Sequence, residues 1–435
     1  MNQIRVLYFL LAFCGTVTQG LWVAPLNTEA ILILDIPLVL LFVLGHNRRP
    51  LSPEIRRILP VMAVFLLWPV VAIPGAVDKQ AAVASMITNV RALLICLAVL
   101  LFVNTRKDME ALLAGVSAGL LFQGTVAVLQ FRFGYVGLGF LGEGGRSWRA
   151  GGTLGHPNVL AMYAMMLSPL AYRMAAFGRG KYRWFFLAAF LVGVAALFAS
   201  QGRACWLGFA LSMILFFLWD VRKKRIVSRR TIAVWVLLAA VGIAGGYKYR
   251  SILTSRFTGA EEELVGQKTS SRMYLAKDAL RIIRQHPAVG VGLENYKLHA
   301  GEEIMGDKFV HCSYLLVAAE AGVPGLVLFL LVLGMMLTFT WRLARWNDPF
   351  VANVGTGIMT AMVGLTIALL PSPDYRIVWV KNHVWLLFGI SLALGKIAYG
   401  DERRMRRLLA MQLLRRKGEV GGPPPALGGK GGTVL

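Results

Sequence analysis

The sequence predicts an all-α integral membrane protein of about 12 transmembrane helices. Three observations support this class. Of the 435 residues, 57% are hydrophobic; the mean hydropathy is +0.62; and apolar runs of about 20 residues, the length that crosses a bilayer, recur along the whole chain. A soluble domain of this length cannot bury so much apolar surface, so the bilayer is the solvent in which the chain folds.

The apolar runs define the predicted transmembrane helices. Their limits are residues 5–24, 27–45, 58–77, 82–103, 109–131, 157–177, 184–201, 203–219, 231–249, 312–341, 351–370 and 383–399. The chain divides into four parts, which are 1–249 with the first nine helices, 250–311 as a long polar loop, 312–399 with the last three helices, and 400–435 as a tail. We expect the tail to begin as a basic amphipathic helix at Arg403–Lys417 and to end as a Gly/Pro-rich disordered segment.

Positive charge is distributed unequally between the two sides of the predicted bundle. The formal net charge of +24 would favour a nucleic-acid partner in a soluble protein, so its placement decides its meaning. If the N-terminus is cytoplasmic, the connections on that side carry 28 Lys and Arg residues, and the short opposite connections carry 7. The positive-inside rule then predicts that both termini are cytoplasmic and that the loop 250–311 lies on the opposite face. The charge therefore indicates membrane lipids, and no nucleic acid, as partners.

Polar residues at the non-cytoplasmic ends of the spans are the candidates for function, because ionisable groups are rare within spans. The Gly-rich segment Gly151–Asn158 leads into the sixth span, and its backbone can approach a ligand closely. We expect His156 and Asn158 to contact a substrate. The alternative is a tight loop in which His156 caps the helix that Pro157 begins.

Two arginines are candidates for binding an anionic group. Arg203 follows Ser200-Gln201-Gly202 close to the membrane boundary, where its guanidinium either reaches lipid phosphate or binds a substrate phosphate through two hydrogen bonds. Arg272 is predicted to lie in the first turn of a helix over Ser271–Gln285, where a positive side chain opposes the macrodipole. A guanidinium and unpaired backbone N–H groups at one helix N-terminus make an anion site.

The helix predicted at Ser271–Gln285 is amphipathic. Its apolar face consists of Met273, Ala276, Leu280 and Ile283, and its polar face consists of Lys277, Asp278, Arg281 and Arg284. This pattern is typical of helices at a membrane interface. We therefore expect the helix to lie along the bilayer surface.

A third group of candidates surrounds the start of the tenth span. Histidine has the side chain whose unperturbed pKa is closest to neutral, so His311 is the candidate general base; the alternative is a residue that caps the helix or lies at the interface. Tyr314 and Glu320 follow on the same span. Glu320 comes just before a break predicted at Gly322-Val323-Pro324-Gly325, and it is costly there unless it is paired or faces a cavity. Asn295 lies in a turn-rich stretch before the span. We expect Asn295, Tyr314 and Glu320 to bind substrate.

Metal and nucleotide chemistry have no support in the motifs. The non-cytoplasmic face has no Asp-x-Asp pair, and Glu261-Glu262-Glu263 is interpreted as a solvated run. The cytoplasmic connections have neither a Walker-type loop nor a Gly-rich nucleotide fingerprint. We predict no metal and no cofactor. Arg91 is the main charge within a span, and a transporter, which needs such charges, stays as the alternative from another class.

With these residues assembled, the chain resembles the O-antigen ligase family, whose members join lipid-linked O-antigen to lipid A-core. The segments that carry the resemblance are Gly152–Asn158, Ser200–Arg203, Ser271-Arg272, His286–Tyr296, His311–Leu315 and Glu320–Gly322. As a set they are typical of a superfamily that also includes O-antigen polymerases and protein oligosaccharyltransferases. Cys312 departs from the family pattern, in which Asn or Gln is expected after the histidine.

The resemblance implies a GT-C-type glycosyltransferase of the bacterial inner membrane with its active site facing the periplasm. It implies direct, metal-independent, inverting transfer from undecaprenyl diphosphate-linked O-antigen, the donor, to a hydroxyl of lipid A-core, the acceptor. Arg203 and Arg272 would stabilise the leaving diphosphate, and His311 would act as the base. The alternatives are a polymerase or protein oligosaccharyltransferase that uses the same donor, and a transporter of lipid-linked glycan.

Overall fold

The structure, a computed structural model, describes residues 3–15, 20–23, 28–46, 49–134, 149–178, 180, 182–222, 268–301 and 309–416. The helices are α1 Gln3–Cys14, α2 Asp35–Leu44, α3 Pro53–Leu67, α4 Lys79–Phe102, α5 Arg106–Phe133, α6 Pro157–Phe177, α7 Tyr182–Ser200, α8 Arg203–Arg222, α9 Lys268–Gln285, α10 Tyr296–His299, α11 Ser313–Ala344, α12 Pro349–Ala368 and α13 Val378–Arg416. One antiparallel strand pair, β1 Gly20–Val23 and β2 Thr28–Leu32, lies between α1 and α2. The predicted all-α membrane class is confirmed, with this short hairpin as an addition.

Nine helices in the described ranges are long and apolar enough to cross a membrane. They are α3 with the 3-10 turn that follows it to Gly75, α4, α5, α6, α7, α8, α11, α12 and α13. Each coincides with a predicted span, whereas the predicted span 231–249 lies outside the described residues. The basic helix predicted at Arg403–Lys417 is not a separate element, because α13 continues unbroken to Arg416.

The first two predicted spans are shorter in the structure than in the prediction. Helix α1 has 12 residues and α2 has 10. At the usual rise these lengths are about 18 Å and 15 Å, well below the thickness of the hydrocarbon core. Between them, residues 20–23 and 28–32 pair as strands, with Gly20 opposite Leu32. Gly20, Pro25 and Asn27 interrupt the apolar run with residues that weaken a helix, which explains the difference.

Ion pairs join the helices at one end of the bundle, which we call the terminal end. The pairs are Arg5–Asp108, Arg49–Asp401, Arg106–Asp348 and Arg342–Glu54. These residues lie in or beside connections that were predicted for the same side, so the structure agrees with the predicted alternation of spans. The opposite end, which we call the loop end, carries segment 149–157, the α7–α8 junction, segment 286–301 and the turn at 369–377.

The mid-span charge Arg91 is paired inside the bundle. Its Nε and Nη2 donate to the two carboxylate oxygens of Asp35 at 3.0 and 3.1 Å. A bidentate pair of this kind compensates both charges within the hydrocarbon region. Arg91 therefore joins α4 to the start of α2, and it gives no support to a transport pathway.

Helix α11 is broken at Gly322. This residue has φ 72° and ψ 177°, a backbone conformation that is essentially restricted to glycine. The break therefore occurs where the sequence Gly322-Val323-Pro324-Gly325 predicts it. Residues on the loop-end side of Gly322 form the first part of α11, and those beyond it continue through the bundle.

The break frees backbone groups that bond to other segments. The hydrogen bonds are Val291 N to Ala319 O at 3.0 Å, Gly292 N to Glu320 O at 2.9 Å, Trp68 Nε1 to Ala321 O at 2.8 Å, and Val323 N to Pro287 O at 2.8 Å. Buried backbone groups in a membrane protein need such partners. Segment 287–292 is therefore fastened to α11, and this fixes the position of the loop end.

Helix α9 packs with a different face from the one predicted. Its buried residues are Leu275, Ala279 and Ile282, whereas Met273 and Leu280 of the predicted apolar face are exposed. The buried face belongs to a small cluster with Tyr296, Phe309, Val310, Leu316 and Ala319. The helix therefore packs on α11 and the segment before it through this second face, and contact of the exposed Met273 and Leu280 with the bilayer surface stays a prediction.

Gly322→Ala should destabilise the fold. Alanine at φ 72° is strained, and its Cβ would lie 2.6 Å from the carbonyl oxygen of Ala288. We expect the free energy of unfolding to fall by about 2–4 kcal/mol, from backbone strain and overpacking together. Thermal melting in lipid nanodiscs measures the effect. Gly334→Ala in the same helix is the control, because an added Cβ there would meet no neighbouring atom of the described residues within 4 Å. Equal melting of Gly322→Ala and the unchanged protein would contradict the constraint.

Candidate functional site

The turn between α12 and α13 is held against the start of α11. The backbone N–H of Ser313 donates to the carbonyl of Leu369 at 3.0 Å, and its hydroxyl donates to the carbonyl of Ser372 at 2.7 Å. The backbone N–H of Tyr375 donates to the same hydroxyl at 3.4 Å. The start of α11 and this turn therefore keep a fixed relative position at the loop end.

Asp374 is a buried carboxylate within this turn. The hydroxyl of Ser372 donates to its Oδ2 at 2.5 Å. Burial raises the pKa of Asp374 above its ordinary value, while the Ser372 hydrogen bond and the charges of His156, Arg376 and His311 act to lower it. Two predicted site residues, His156 and His311, therefore lie within electrostatic range of one carboxylate.

Arg149 joins the Gly-rich segment to the junction between α7 and α8. Its Nε donates to the carbonyl of Ser200 at 3.0 Å, and its Nη2 donates to Oδ1 of Asn158 at 2.7 Å. His156 is the N-cap of α6, and its Nδ1 accepts from the backbone N–H of Asn158 at 3.2 Å. His156 and Asn158 therefore stabilise the start of α6, whether or not they also contact a substrate.

Arg203 is the first residue of α8 and is half-buried. A Cβ on the preceding Gly202 would lie 2.5 Å from Cβ of Ala161, so α8 begins in close contact with α6. Cys205, two residues further on, lies within electrostatic range of Asp374. The first turn of α8 is therefore near the carboxylate that also interacts with the two histidines.

The structure gives the position of Arg272 in its helix, and it gives both the position and the exposure of His311. Helix α9 begins at Lys268, so Arg272 lies in its second turn and the expected first-turn position was wrong; the residues Lys268–Ser270 extend the helix backwards. For Arg272 only the position in α9 is described, so its contact with a diphosphate stays a prediction. His311 is exposed and lies two residues before α11. The structure thus brings His311 to the loop end together with His156 and Arg203.

Asn295 and Tyr314 make hydrogen bonds within the fold. Oδ1 of Asn295 accepts from the backbone N–H of Asp78 at 2.7 Å, and its Nδ2 donates to the carbonyls of Asp78 and Leu293 at 3.0 and 2.8 Å. This fastens the start of α4 to the loop. The hydroxyl of Tyr314 donates to the carbonyl of Thr366 at 3.0 Å and joins α11 to α12. A contact of either residue with substrate stays a prediction.

A cavity at the loop end lies between α3, α4, α11 and α13. It contains about 520 Å³ of space, part of it open to solvent, and Glu320, Arg376 and Lys381 line it. Nη1 of Arg376 donates to both carboxylate oxygens of Glu294, at 2.8 and 3.1 Å. The guanidinium carbon of Arg376 lies 3.7 Å from the ring centre of Phe309. The predicted residue Glu320 therefore faces a cavity with two cationic residues.

Four charged residues of this region were not predicted as site residues. They are Arg149, Asp374, Arg376 and Lys381. The three cationic residues entered only the comparison of charge between the two sides of the bundle. Asp374 and Arg376 flank Tyr375 in a short connection between two spans. A charged pair beside the membrane boundary is the sequence signal that could have singled them out.

The pKa of His156 tests whether Asp374, Arg149 and Arg376 lie near its ring as the structure has them. Desolvation by the surrounding protein lowers it below the ordinary value although the ring reaches the surface, the negative charge of Asp374 raises it, and the positive charges of Arg149 and Arg376 lower it. Asp374→Asn should therefore lower the pKa further, and Arg149→Met should raise it. Histidine NMR titration in nanodiscs, with the signal assigned by His156→Gln, measures both shifts. Asp401→Asn at the terminal end is the control, and shifts of opposite sign would contradict the arrangement.

A family model described as O-antigen ligase matches residues 187–330, about a third of the chain. No curated protein matches the chain. The matched segment contains Arg203, Arg272, His311 and the break at Gly322, and it leaves out the Gly-rich segment before α6. Over residues 187–330 the chain is similar to the O-antigen ligase family, and the resemblance predicted from its motifs is confirmed there.

Proposed function

We propose that this protein is an inner-membrane glycosyltransferase that transfers a glycan from undecaprenyl diphosphate to the lipid A-core oligosaccharide. The similarity to the O-antigen ligase family supports a membrane enzyme that transfers glycosyl groups, of the ligase or polymerase kind. One observation carries the proposal. Asp374 lies within electrostatic range of His156, His311 and the first turn of the helix that Arg203 begins, although these residues are far apart in the chain.

In the proposed reaction, a hydroxyl oxygen of the acceptor sugar attacks the anomeric carbon of the donor glycan. The new bond forms on the face opposite the diphosphate, so the configuration inverts. The bond between the anomeric carbon and the diphosphate oxygen breaks, and its electron pair leaves with undecaprenyl diphosphate. The hydroxyl proton moves to the imidazole of His311. Arg203 and Arg272 stabilise the negative charge that the leaving diphosphate gains.

The carboxylate of Asp374 supports base catalysis in this proposal. An anion within electrostatic range of His311 stabilises the imidazolium that forms when the ring accepts a proton. The hydrogen bond from Ser372 holds that carboxylate in one orientation. His156 and Asn158 lie beside the same region, so we assign them to contacts with a substrate.

We assign the loop end to the periplasm and the terminal end to the cytoplasm. The terminal end carries the more basic short connections, which the positive-inside rule assigns to the cytoplasm. The loop end would then meet the outer leaflet, where it encounters both substrates. Donor and acceptor are anionic amphiphiles, and cationic side chains at that end would attract them.

A polymerase of the same superfamily would use the same donor chemistry with a second lipid-linked glycan as acceptor. A transporter needs ionisable groups along a path through the bundle, and the pairing of Arg91 with Asp35 removes the mid-span charge that favoured one. Purified protein incubated with lipid-linked glycan, with and without lipid A-core, separates the three functions. A ligase forms a product only with lipid A-core, a polymerase forms longer lipid-linked chains, and a transporter forms neither.

Transfer should not depend on a divalent metal ion. The sequence offers no Asp-x-Asp pair on the active face, and cationic side chains can stabilise a leaving diphosphate in place of a metal. Ligation by purified protein should therefore proceed at the same rate in the presence of excess EDTA. A requirement for Mg²⁺ or Mn²⁺ that survives controls for acceptor aggregation would contradict this mechanism.

Substitution of the three proposed catalytic residues should separate their roles. Arg203→Ala and Arg272→Ala should each lower turnover by about a hundredfold or more, the usual scale for losing one charge contact in the transition state. His311→Ala should be equally damaging to transfer but should leave donor binding largely intact, because the base acts on the acceptor hydroxyl. The measurements are ligation in a null strain, read as capped lipopolysaccharide, and donor affinity of each purified variant.

Matched control positions lie on the same two helices. Arg222 lies in the exposed last turn of α8, and Arg284 lies in the exposed last turn of α9; alanine at either position should preserve ligation. Arg272→Lys should stay impaired if the guanidinium grips diphosphate through two hydrogen bonds, and should recover if only charge is needed. Full ligation by His311→Ala at normal expression would remove the proposed base, and full ligation by both arginine variants would remove the diphosphate site.

A further inference from the structure

Two buried polar atoms at the loop-end cavity have no hydrogen-bond partner among the described residues. They are Oε1 of Glu320 and Nε of Arg376. Both residues line this cavity, which is partly open to solvent. A buried carboxylate oxygen and a buried guanidinium N–H that lack partners are each costly. The cavity wall therefore has one acceptor and one donor available to a ligand.

The carboxylate of Glu320 is held in place by the fold. The residue is only 4% exposed, and the backbone of Tyr296 lies within electrostatic range of its carboxylate. The backbone carbonyl of Glu320 accepts from Gly292 at 2.9 Å, beside the break in α11. Loop and helix together thus orient this side chain, and its Oε1 has no partner among the described residues.

Lys381 adds a buried cation to the cavity wall. Its ammonium group donates to Oγ1 of Thr88 at 3.0 Å and to Oδ1 of Asn89 at 2.6 Å. A lysine ammonium has three N–H donors, so these bonds leave one for a ligand. The polar part of the wall therefore combines one carboxylate acceptor with two cationic donors.

The rest of the cavity wall is mainly apolar. It includes Phe65, Leu66, Pro69, Leu316, Val317 and Tyr375. A matching ligand presents apolar faces and also donates and accepts hydrogen bonds at its edge. A sugar ring has this chemistry, because its C–H faces pack on aromatic and aliphatic side chains and its hydroxyl groups both donate and accept.

We propose that this cavity is a subsite for one sugar ring of the glycan substrate, in which Glu320 accepts a hydrogen bond from a sugar hydroxyl and Lys381 and Arg376 donate to sugar oxygens. The identity of the substrate rests on the proposed function, and the cavity adds the residues that recognise the sugar itself. An isoprenoid or acyl chain would leave Oε1 of Glu320 and Nε of Arg376 unpaired, so the polar atoms favour a sugar over a lipid tail.

Binding measurements in lipid nanodiscs test the subsite without requiring transfer. The probes are methyl-capped undecaprenyl diphosphate and undecaprenyl diphosphate carrying a single glucose, galactose or N-acetylglucosamine; all have the same lipid and the same diphosphate charge. We expect the unchanged protein to bind at least one sugar-bearing lipid about tenfold more tightly than the methyl-capped lipid, the scale of one hydrogen bond to a charged group.

Glu320→Gln is the most informative variant. It keeps the shape of the side chain, and it replaces one carboxylate oxygen, an acceptor, with an amide NH₂ group, which only donates. The sugar-dependent advantage should fall below about twofold, while affinity for the methyl-capped lipid and the melting temperature stay unchanged. Lys381→Met should reduce the advantage in the same direction. Glu402→Gln at the terminal end is the control and should bind all probes as the unchanged protein does.

Three results would overturn the subsite. The first is that sugar-bearing lipids bind no more tightly than the methyl-capped lipid. The second is that the sugar-dependent advantage persists undiminished in Glu320→Gln. The third is that Glu320→Gln loses affinity for all probes equally, which would assign Glu320 to binding of the lipid or to stability of the fold. Failure of the glycosyltransferase proposal is a separate outcome, seen as full ligation by the His311 and arginine variants. Sugar-dependent binding that is lost in Glu320→Gln would then still support a sugar site.

Discussion

The glycine break in α11 is the constraint on which the loop end depends. A membrane-spanning helix normally satisfies its own backbone groups, and a carbonyl without a partner in hydrocarbon is costly. At Gly322 the regular hydrogen bonding stops, and three carbonyl groups are satisfied instead by segment 287–292 and by the indole of Trp68. Segment 287–292 thus supplies hydrogen bonds that α11 would otherwise make within itself. The position of Glu320 and of its cavity follows from this arrangement.

The two ends of the bundle hold their charges differently. At the terminal end, pairs such as Arg106–Asp348 are largely exposed, with 49% and 40% of the side-chain surface accessible, and each contributes about 0–1 kcal/mol. At the loop end, Asp374 and Glu320 are buried, so removal of a hydrogen-bond partner there leaves a buried polar group unsatisfied, at a cost of about 1–3 kcal/mol. The loop end therefore depends more strongly on the identity of its polar residues.

The helical membrane class and the break after Glu320 could be predicted because both depend on local sequence, namely the length of apolar runs and the succession of Gly and Pro. The buried face of α9 could not, since its partner is a helix whose course is set by Gly322. Asp374 was missed because a single carboxylate in a short connection has no periodic signal, and only the fold brings it near His156 and His311. The role of Arg272 stays a prediction from its motif.

Helix α13 extends from the cavity to far beyond the hydrocarbon. Its 39 residues correspond to about 58 Å of helix, against about 30 Å of hydrocarbon. Lys381 lies in its first turn, and Arg416, its last residue, is about 52 Å away along the axis. The last part of α13 therefore exceeds what a bilayer can cover, and its residues 401–406, beside the Arg49–Asp401 pair, are mostly exposed.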